Sequence, residues 1–289
     1  MSLAMTSPTR TGRGVLYLAL ALCALVALFP VLYMGMISLQ PAEQAMSDAG
    51  MLLPASPASA ASHGAANYGS VLTDGTVDFP LYFRNTLVIA LLSVTGVVVS
   101  SVIVAYGFAR VSWRGRGACF LVMLATMMIP FPVIMVPLFV IFRSLGWIGT
   151  FLPLWVPAWF GSAFSIFLLR QFYMTIPREL DESARLDGCG HAGILLRILV
   201  PLSLPAILVV ALLHFMFVWN DFLGPLVFLT HRDQYTLALG LELYMSRLGT
   251  TPWNLLMAAS TIMVAPVLLL FLLAQRSFIE GISTSGTKG

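Results

Sequence analysis

One polar segment, residues 177–205, has acids and bases at helical spacing between two long apolar runs. Its sequence is PRELDESARLDGCGHAGILLRILVPLSLP, in a chain in which charged residues make up only 9%. Arg178 and Glu182 are four residues apart, as are Asp181 and Arg185, so each pair can meet on one face of a helix. Carboxylates on such a helix can bind a basic partner through charge-assisted hydrogen bonds. The residue types therefore indicate a docking surface.

The same segment contains start and stop signals for a short helix. Pro177 suits the first helical position, where its missing N–H costs nothing. Three acids then fall in the first turns, where the helix dipole favours negative charge. Gly188 is expected to end the helix in a left-handed conformation. A second helical pattern resumes near Ala192, so the segment is predicted to be a helix–turn–helix at a membrane surface.

The rest of the chain consists mainly of apolar stretches. Hydrophobic residues make up 59% of the chain, against about 45–50% in a typical soluble protein. Six stretches exceed the roughly 20 residues that a membrane-crossing helix needs and contain no Asp, Glu, Lys or Arg. They are residues 14–42, 85–109, 117–142, 144–169, 198–220 and 248–275. The sequence therefore predicts an all-α integral membrane protein with six transmembrane helices in residues 14–275, flanked by tails at 1–13 and 276–289.

The distribution of basic residues predicts which side of the membrane each loop faces. With the N-terminus inside, eleven of the 15 basic residues lie on the cytoplasmic side: Arg10, Arg13, Arg110, Arg114, Arg116, Arg170, Arg178, Arg185, Arg197, Arg276 and Lys288. The remaining four lie outside, and this bias is the usual one for membrane proteins. Both termini and the 177–205 segment are therefore predicted to be cytoplasmic. Because the bases lie beside the spans, they do not indicate nucleic-acid binding.

The fixed residues of the 177–205 segment resemble the EAA motif in the membrane subunits of ABC importers. The matching residues are Glu182, Ser183, Ala184, Asp187, Gly188 and Pro201. In the motif, Glu-Ala-Ala is followed by Asp-Gly-Ala and then by a proline, which here lies thirteen positions after Gly188. Ser183 and Cys189 stand where the family usually has alanine. The alternative is an ordinary amphipathic helix at the membrane interface, in which this spacing is a coincidence.

The resemblance implies a type I ABC importer (MetI-like) permease fold, in which this loop is the coupling helix that docks into a cleft of a separate ATPase. The residues that it assigns to ATPase coupling are Glu179, Glu182, Ser183, Ala184, Asp187 and Gly188. It also implies three protein partners: an ABC ATPase dimer, a second permease subunit and an extracytoplasmic solute-binding protein. The expected location is the bacterial inner (plasma) membrane, where the chain crosses the lipid bilayer several times.

Other segments resemble the maltose-type, or carbohydrate, permeases. Residues 219–226 resemble their fifth span, and residues 275–289 resemble their C-terminus. Asn67-Tyr68 resembles a short feature common before their second span. The resemblance implies import of a carbohydrate, a di- or oligosaccharide, with a glycerol-phosphate importer as the alternative. A phosphate path would be expected to contain intramembrane Arg or Lys, and the six uncharged stretches have none. A membrane-embedded enzyme or sensor is a more remote alternative.

The candidate solute path lies where polar residues and prolines interrupt the spans. His214, Asn220 and Asp221 lie in or beside the fifth predicted span, where ionisable groups usually face an aqueous cavity. Pro130 removes a helix hydrogen bond in the third predicted span, which predicts either a broken helix that lines the path or a kink used for packing. The alternative for Asn220 and Asp221 is that they anchor the outer end of the helix.

The sequence assigns no catalytic chemistry to this chain. The only lysine, Lys288, lies outside any P-loop pattern, so ATP and Mg²⁺ are expected on the partner ATPase and no cofactor is expected here. His214 has no second His or Cys at ligand spacing, so no metal site is predicted.

Three local patterns give further expectations. The tract 54–66 is rich in Ala, Ser and Pro, so it is of low complexity and is expected to be flexible. Arg84-Asn85-Thr86 opens the second predicted span, where a polar side chain can cap the helix. The basic turn 110–116, which contains a tryptophan, is interpreted as a membrane anchor.

The predicted topology is testable by cysteine accessibility in a variant that lacks Cys23, Cys119 and Cys189. In intact cells, Ser59→Cys is expected to react with a membrane-impermeant thiol reagent, whereas Ser112→Cys is not. Lysed cells, in which both positions are expected to react, are the control. Labelling of Ser112→Cys alone in intact cells would reverse the topology.

Overall fold

The computed structural model describes residues 10–46, 56–73, 77–245 and 251–283, and all secondary structure in these residues is helical. The α-helices are α1 (Arg10–Ser38), α2 (Ala42–Ala45), α3 (Pro57–Thr73), α4 (Phe79–Ala109), α5 (Arg116–Thr126), α6 (Phe131–Ser144), α7 (Leu152–Trp155), α8 (Ala163–Thr175), α9 (Glu179–Leu186), α10 (His191–Gly193), α11 (Val200–Leu202), α12 (Leu204–Trp219), α13 (Leu223–Phe228), α14 (Leu237–Met245) and α15 (Trp253–Ser283). Val156–Phe160 and Arg232–Gln234 are 3₁₀-helical, and Ile194–Leu199 is π-helical.

The chain divides into two compact units. The smaller unit consists of Met1–Val77 and Leu243–Val264, and the larger unit consists of Asp78–Glu242 and Ala265–Gly289.

Four helical segments are long and apolar enough to cross a membrane: Arg13–Ser38, Phe79–Ala109, Leu152–Thr175 and Trp253–Leu273. Two bent pairs of helices also satisfy these criteria: Arg116–Thr126 with Phe131–Ser144, and His191–Leu202 with Leu204–Trp219. The predicted all-α membrane fold is therefore confirmed, with four continuous candidate spans in the described residues and six when each bent pair is one span.

The third predicted span is broken, which was one of the two outcomes expected from Pro130. The axes of α5 and α6 differ by 98°. Pro130 has an extended backbone (φ −70°, ψ 143°) and directly precedes α6. A proline disfavours helical backbone in the residue before it and lacks the N–H of a helix hydrogen bond, so Pro130 favours a break between α5 and α6. Pro137, in contrast, lies inside α6 without ending it.

The fifth predicted span begins at a second bend, of 78°, between α11 and α12. Ser203 lies at this bend with none of its surface exposed, and its hydroxyl donates to the carbonyl of Leu199 (2.6 Å). The N–H of Ser203 donates to the same carbonyl (2.9 Å), so Ser203 makes two hydrogen bonds to the end of the π-helical segment. The bend therefore joins the polar segment to the membrane-spanning part of α12.

Helix α4 is the centre of the larger unit, because it packs against α8, α12 and the 3₁₀ segment at 156–160. Gly96 permits the closest of these contacts, since a Cβ there would overlap the indole ring of Trp159. The buried core around α4 is apolar and includes Val97, Ala105, Leu169, Tyr173, Ile194 and Leu199. This core places one end of α4 against the 177–205 segment.

The cap predicted at Arg84-Asn85-Thr86 is wrong, because α4 begins at Phe79 and Asp78 caps it by accepting from the N–H of Leu81 (3.1 Å). Asn85 instead donates to the carbonyls of Asp233 (2.8 Å) and Tyr235 (3.1 Å). These bonds attach the loop after α13 to the first turns of α4. Asn85 thus makes tertiary contacts at a position where the sequence predicted a helix end.

The tract expected to be flexible, 54–66, is helical over most of its described residues, since α3 covers residues 57–73. Alanine has the highest helix propensity of the residues, and the tract is rich in it. Gly64, Asn67 and Val71 are buried at helical spacing, so one side of α3 packs inside the smaller unit. Residues 54 and 55 lie outside the described residues.

Asn67 connects the parts of the smaller unit. Its side-chain amide donates to the carbonyls of Ser38 (2.8 Å) and Gln40 (2.9 Å) and accepts from the amide of Asn254 (2.8 Å). The hydroxyl of Tyr68 lies 2.9 Å from that of Ser38. The Asn67-Tyr68 pair therefore attaches α3 to the end of α1.

The terminal helices extend into the predicted tails. Helix α1 begins at Arg10, and α15 continues to Ser283. Residues 10–13 and 276–283 are therefore helical, whereas 1–9 and 284–289 lie outside the described residues.

Candidate coupling loop and solute cavity

The 177–205 segment contains a short helix, α9, that ends as the sequence predicted. Gly188 has a φ of +82°, which confirms the left-handed conformation. The N–H of Gly188 donates to the carbonyl of Arg185 (3.0 Å), and the N–H of Cys189 donates to that of Ala184 (2.8 Å). A Cβ on Gly188 would meet no atom within 4 Å. Glycine is therefore required here by its backbone conformation and not by lack of space.

Helix α9 has one buried face and one exposed face. Asp181 is 5% exposed and Ala184 is 6% exposed, and Ala184 packs into the core of the larger unit. The other residues predicted to couple to the ATPase are exposed: Glu179, Glu182, Ser183, Asp187 and Gly188. Leu186 is 90% exposed, so the outer face also presents an apolar side chain. Ala184 thus packs within its own subunit, and the five exposed residues are free to contact a partner.

The buried face of α9 is attached to α4 by an ion pair that sequence reasoning missed. Asp181 does not form an ion pair with Arg185. In the described residues of this segment, Arg178 and Glu182 do not form one either. Instead, Oδ2 of Asp181 lies 3.5 Å from Nε of Arg110, at the end of α4. Nη2 of Arg110 donates to the carbonyl of Ile176 (2.7 Å), just before α9. Both side chains are less than a tenth exposed, which strengthens their attraction.

A second contact joins α4 to the far side of the segment. The hydroxyl of Tyr106 lies 2.7 Å from Nδ1 of His191, and the two rings are edge to face at 5.9 Å. Tyr106 and Arg110 are four residues apart, so they lie on one face of α4. The interpretation of 110–116 as a membrane anchor overlooked this pairing. The sequence signal that could have revealed these contacts was the helical spacing of Tyr106 and Arg110 at the end of the second predicted span.

The larger unit also contains a cavity of about 680 Å³, which lies within the usual range of about 300–1,000 Å³ for small-molecule sites. Its walls come from α4, the 153–162 region, α12 and the 220–228 region. The polar lining residues are Ser93, Ser162, His214, Asn220 and Asp221. The structure therefore brings together three of the four predicted path residues. Pro130 itself is not a lining residue, but Phe131, the residue after it, is.

Hydrogen bonds orient the polar groups of the cavity. Nε2 of His214 lies 2.8 Å from the hydroxyl of Ser93, which is 2% exposed. Oδ1 of Asp221 accepts from the N–H of Gly224 (3.1 Å), and the side-chain amide of Asn220 donates to the carbonyl of Met216 (2.8 Å). Ser93 was missed because a lone serine in an apolar helix carries no distinctive sequence signal.

Within the described residues, no group of three or more His, Cys, Asp or Glu side chains is placed to bind a metal ion. Cys23 and Cys119 are exposed free thiols, and Cys189 is a half-buried one.

The sequence matches known proteins over most of its length. Residues 96–283 match the family of binding-protein-dependent transport system inner membrane components. The chain is 32% identical over 274 residues to the arabinooligosaccharides transport system permease protein AraQ of Halalkalibacterium halodurans, covering 95% of this chain and 96% of the relative. It is also 32% identical to the trehalose/maltose transport system permease protein MalG of Thermococcus litoralis, and the match covers 96% of this chain and 97% of the relative.

The fold matches a chain in the crystal structure of a bacterial ABC transporter involved in the import of the acidic polysaccharide alginate. The TM-score is 0.80 at 23% sequence identity, covering 94% of this chain and 99% of that chain. This similarity confirms the permease fold over nearly the whole sequence.

The chain therefore belongs to the family of binding-protein-dependent transport system inner membrane components. It is a multi-pass permease of the inner membrane, as the EAA-like motif and the spans predicted. Within an ABC transporter this component forms the membrane part of the assembly, and the transporter depends on a solute-binding protein.

The buried ion pair leads to a stability prediction. Arg110→Gln leaves Asp181 as an unpaired buried carboxylate, and such a loss typically costs about 3–5 kcal/mol. We expect a lower midpoint of thermal unfolding for the purified permease in detergent, together with weaker co-purification of the ATPase. Arg114→Gln is the matched control, because Arg114 is exposed in the same turn. Equal midpoints for the two variants would contradict a role for the ion pair.

Proposed function

We propose that this permease imports a carbohydrate, a di- or oligosaccharide, and couples its passage to ATP hydrolysis on a separate ATPase dimer. The observation that carries the substrate class is the lining of the cavity, which in the described residues combines aromatic rings with hydroxyl, amide, imidazole and carboxylate groups. These groups can bind sugar hydroxyls and apolar ring faces. Relatives named for arabinooligosaccharides and for trehalose and maltose support the same class.

The charge of the cavity disfavours the alternative of a glycerol-phosphate importer. Among the described lining residues there is one carboxylate, Asp221, and no Lys or Arg. A phosphate would be repelled by that carboxylate and would find no cation to pair with. The lining therefore supports a neutral solute.

The coupling role of the 177–205 segment is part of the proposal. The exposed residues Glu179, Glu182, Ser183, Asp187 and Gly188 would contact the ATPase, which binds ATP and Mg²⁺. Glu182 lies in the exposed acidic first turn of α9, where its carboxylate can accept hydrogen bonds from a basic partner. Ala184 supports the helix from its buried side.

Helix α4 connects the proposed coupling helix to the proposed solute path. Arg110 and Tyr106 contact the coupling segment, whereas Ser93 lines the cavity. Arg110 and Ser93 are about 25 Å apart at 1.5 Å per helical residue. If the ATPase displaced α9, the movement would thus be transmitted to the wall of the cavity through one packed helix, α4. This is the kind of two-state element that alternating access requires.

Mutation of the coupling segment is expected to uncouple the transporter without unfolding it. Gly188→Val forces a branched side chain into a left-handed backbone, which costs about 1–2 kcal/mol, and Glu182→Lys reverses the proposed docking charge. We expect both variants to reach the membrane but to lose ATPase co-purification and binding-protein-stimulated ATP hydrolysis.

Gly190→Val is the matched control for Gly188→Val. Gly190 also has open space around its Cα, but its φ of −77° is accessible to any residue. Normal stimulation in both Gly188→Val and Glu182→Lys would mean that the segment is only an interfacial helix.

The substrate class is testable in proteoliposomes that contain this permease, its partner permease and the ATPase, supplied with the binding protein. We expect ATP-dependent accumulation of at least one of radiolabelled maltose, trehalose and arabinotriose, and none of glycerol 3-phosphate. Vesicles without ATP are the control. Accumulation of glycerol 3-phosphate alone would replace the carbohydrate proposal with the phosphate alternative.

A further inference from the structure

We infer that the turn between α4 and α5, together with α8, binds the phosphate of an anionic phospholipid on the side of the membrane where the 177–205 segment lies. The site consists of Arg116 and Arg170, with Trp113 and Phe120 as its aromatic residues. None of the four lines the solute cavity. The inference is independent of the proposed function, because it concerns the lipid around the permease and not its solute.

Two guanidinium groups lie on one side of α5. Arg116 is the first residue of α5, and Phe120 follows it by one helical turn on the same face. The guanidinium of Arg170, from α8, lies over the ring of Phe120, with Cζ 4.1 Å from the ring centroid. The positive charge of Arg116 repels that of Arg170. Two positive charges are therefore held near each other where α5 packs against α8.

Neither of these charges has an acidic partner in the part of the chain that the structure describes, because no carboxylate lies within ion-pair distance of Arg116 or Arg170. Both side chains are half-buried, so water and salt screen their charges less than those of fully exposed groups. Two like charges in such a place repel one another unless an anion binds beside them. A headgroup with net negative charge, such as phosphatidylglycerol, is therefore favoured over a zwitterionic one.

Each guanidinium is oriented by a backbone carbonyl and keeps donors for a phosphate. Nε of Arg170 donates to the carbonyl of Phe108 (3.4 Å), and Nη1 of Arg116 donates to that of Val111 (3.0 Å). A guanidinium has five N–H donors, and their planar arrangement matches phosphate oxygens. The N-terminus of α5 has no side-chain cap, so the helix dipole adds positive potential beside Arg116.

The surroundings of the two arginines favour a lipid over a soluble anion. Trp113 is 41% exposed, and its ring lies 5.8 Å from that of Phe108. Tryptophan is typical of the level of the lipid headgroups. Further along α5, Leu121 and Val122 are 68% and 66% exposed, so an apolar surface adjoins the site. The site thus offers basic groups to a phosphate and an apolar surface to the acyl chains of the same molecule.

The experiment measures lipid binding at Cys119, an exposed thiol one residue before Phe120. The purified full-length permease in detergent, with Cys23→Ser and Cys189→Ser, carries a fluorophore on Cys119. It is titrated with spin-labelled phosphatidylglycerol, which quenches a fluorophore nearby, and with spin-labelled phosphatidylcholine as the zwitterionic comparison. We expect half-maximal quenching at a lower fraction of phosphatidylglycerol than of phosphatidylcholine.

Removal of the charges is expected to weaken binding of phosphatidylglycerol. Given the usual contribution of a basic residue at a membrane surface, Arg116→Gln and Arg170→Gln should each raise the quenching midpoint about fivefold, and the double variant about 25-fold. Arg143→Gln is the matched control, because Arg143 is an exposed arginine in the last turn of α6, outside the site. Circular dichroism checks that each variant is folded. If Arg170→Gln is not, the test rests on Arg116→Gln, since the hydrogen bond of Arg116 is local.

The results that would overturn the site are equally specific. Equal midpoints for the two lipids, or unchanged midpoints in the folded arginine variants, would mean that these arginines bind no headgroup. Inorganic phosphate is expected to displace phosphatidylglycerol no more than potassium chloride does at the same ionic strength. Greater displacement by phosphate would replace the lipid with a soluble anion. Saccharide uptake, which tests the proposed function, is a separate measurement.

Discussion

The buried contact between Arg110 and Asp181 determines how the 177–205 segment is attached to α4. A carboxylate removed from water is stable only when it has a partner, and the partner here comes from α4 and not from α9 itself. The same guanidinium binds the carbonyl of Ile176, so one side chain fixes both the start and the buried face of α9. With Asp181 directed inward, the remaining acids of the first turn face outward. The exposed acidic surface is thus a consequence of the buried ion pair.

Helix α4 makes polar contacts along its whole length, although its sequence is mainly apolar. Asn85 binds the loop at 233–235, Ser93 contacts His214, and Ser100 donates to the carbonyl of Ala158 (3.1 Å). Tyr106 and Arg110 then contact the 177–205 segment. Polar groups inside a membrane are costly unless they have partners, so each of these residues restricts which element can pack beside it. These contacts add specificity to the apolar packing around α4.

Local features were predictable from the sequence, and partners distant in sequence were not. The charge-free runs predicted the spans, Pro130 predicted a break or a kink in the third span, and the position of Gly188 predicted its left-handed backbone, because each depends on a few neighbouring residues. The ion pair of Asp181 was missed because helical spacing identifies only partners about four residues away. Arg110 lies 71 positions earlier in the sequence. Asn85 was misassigned for the same reason. In the tract at 54–66, alanine propensity and burial within the smaller unit outweighed the low-complexity composition.

The cavity lies where three of the membrane helices are interrupted. Phe131 begins α6 after the break at Pro130, Gly161 has a φ of +100° just before α8, and Asn220 follows the end of α12. Helix ends leave backbone N–H and carbonyl groups without helical partners, and lipid cannot satisfy them. Such ends are stable at membrane depth only beside protein or water. The interruptions that make the helices imperfect as membrane spans therefore expose backbone polar groups beside the cavity, which supports the proposed solute path.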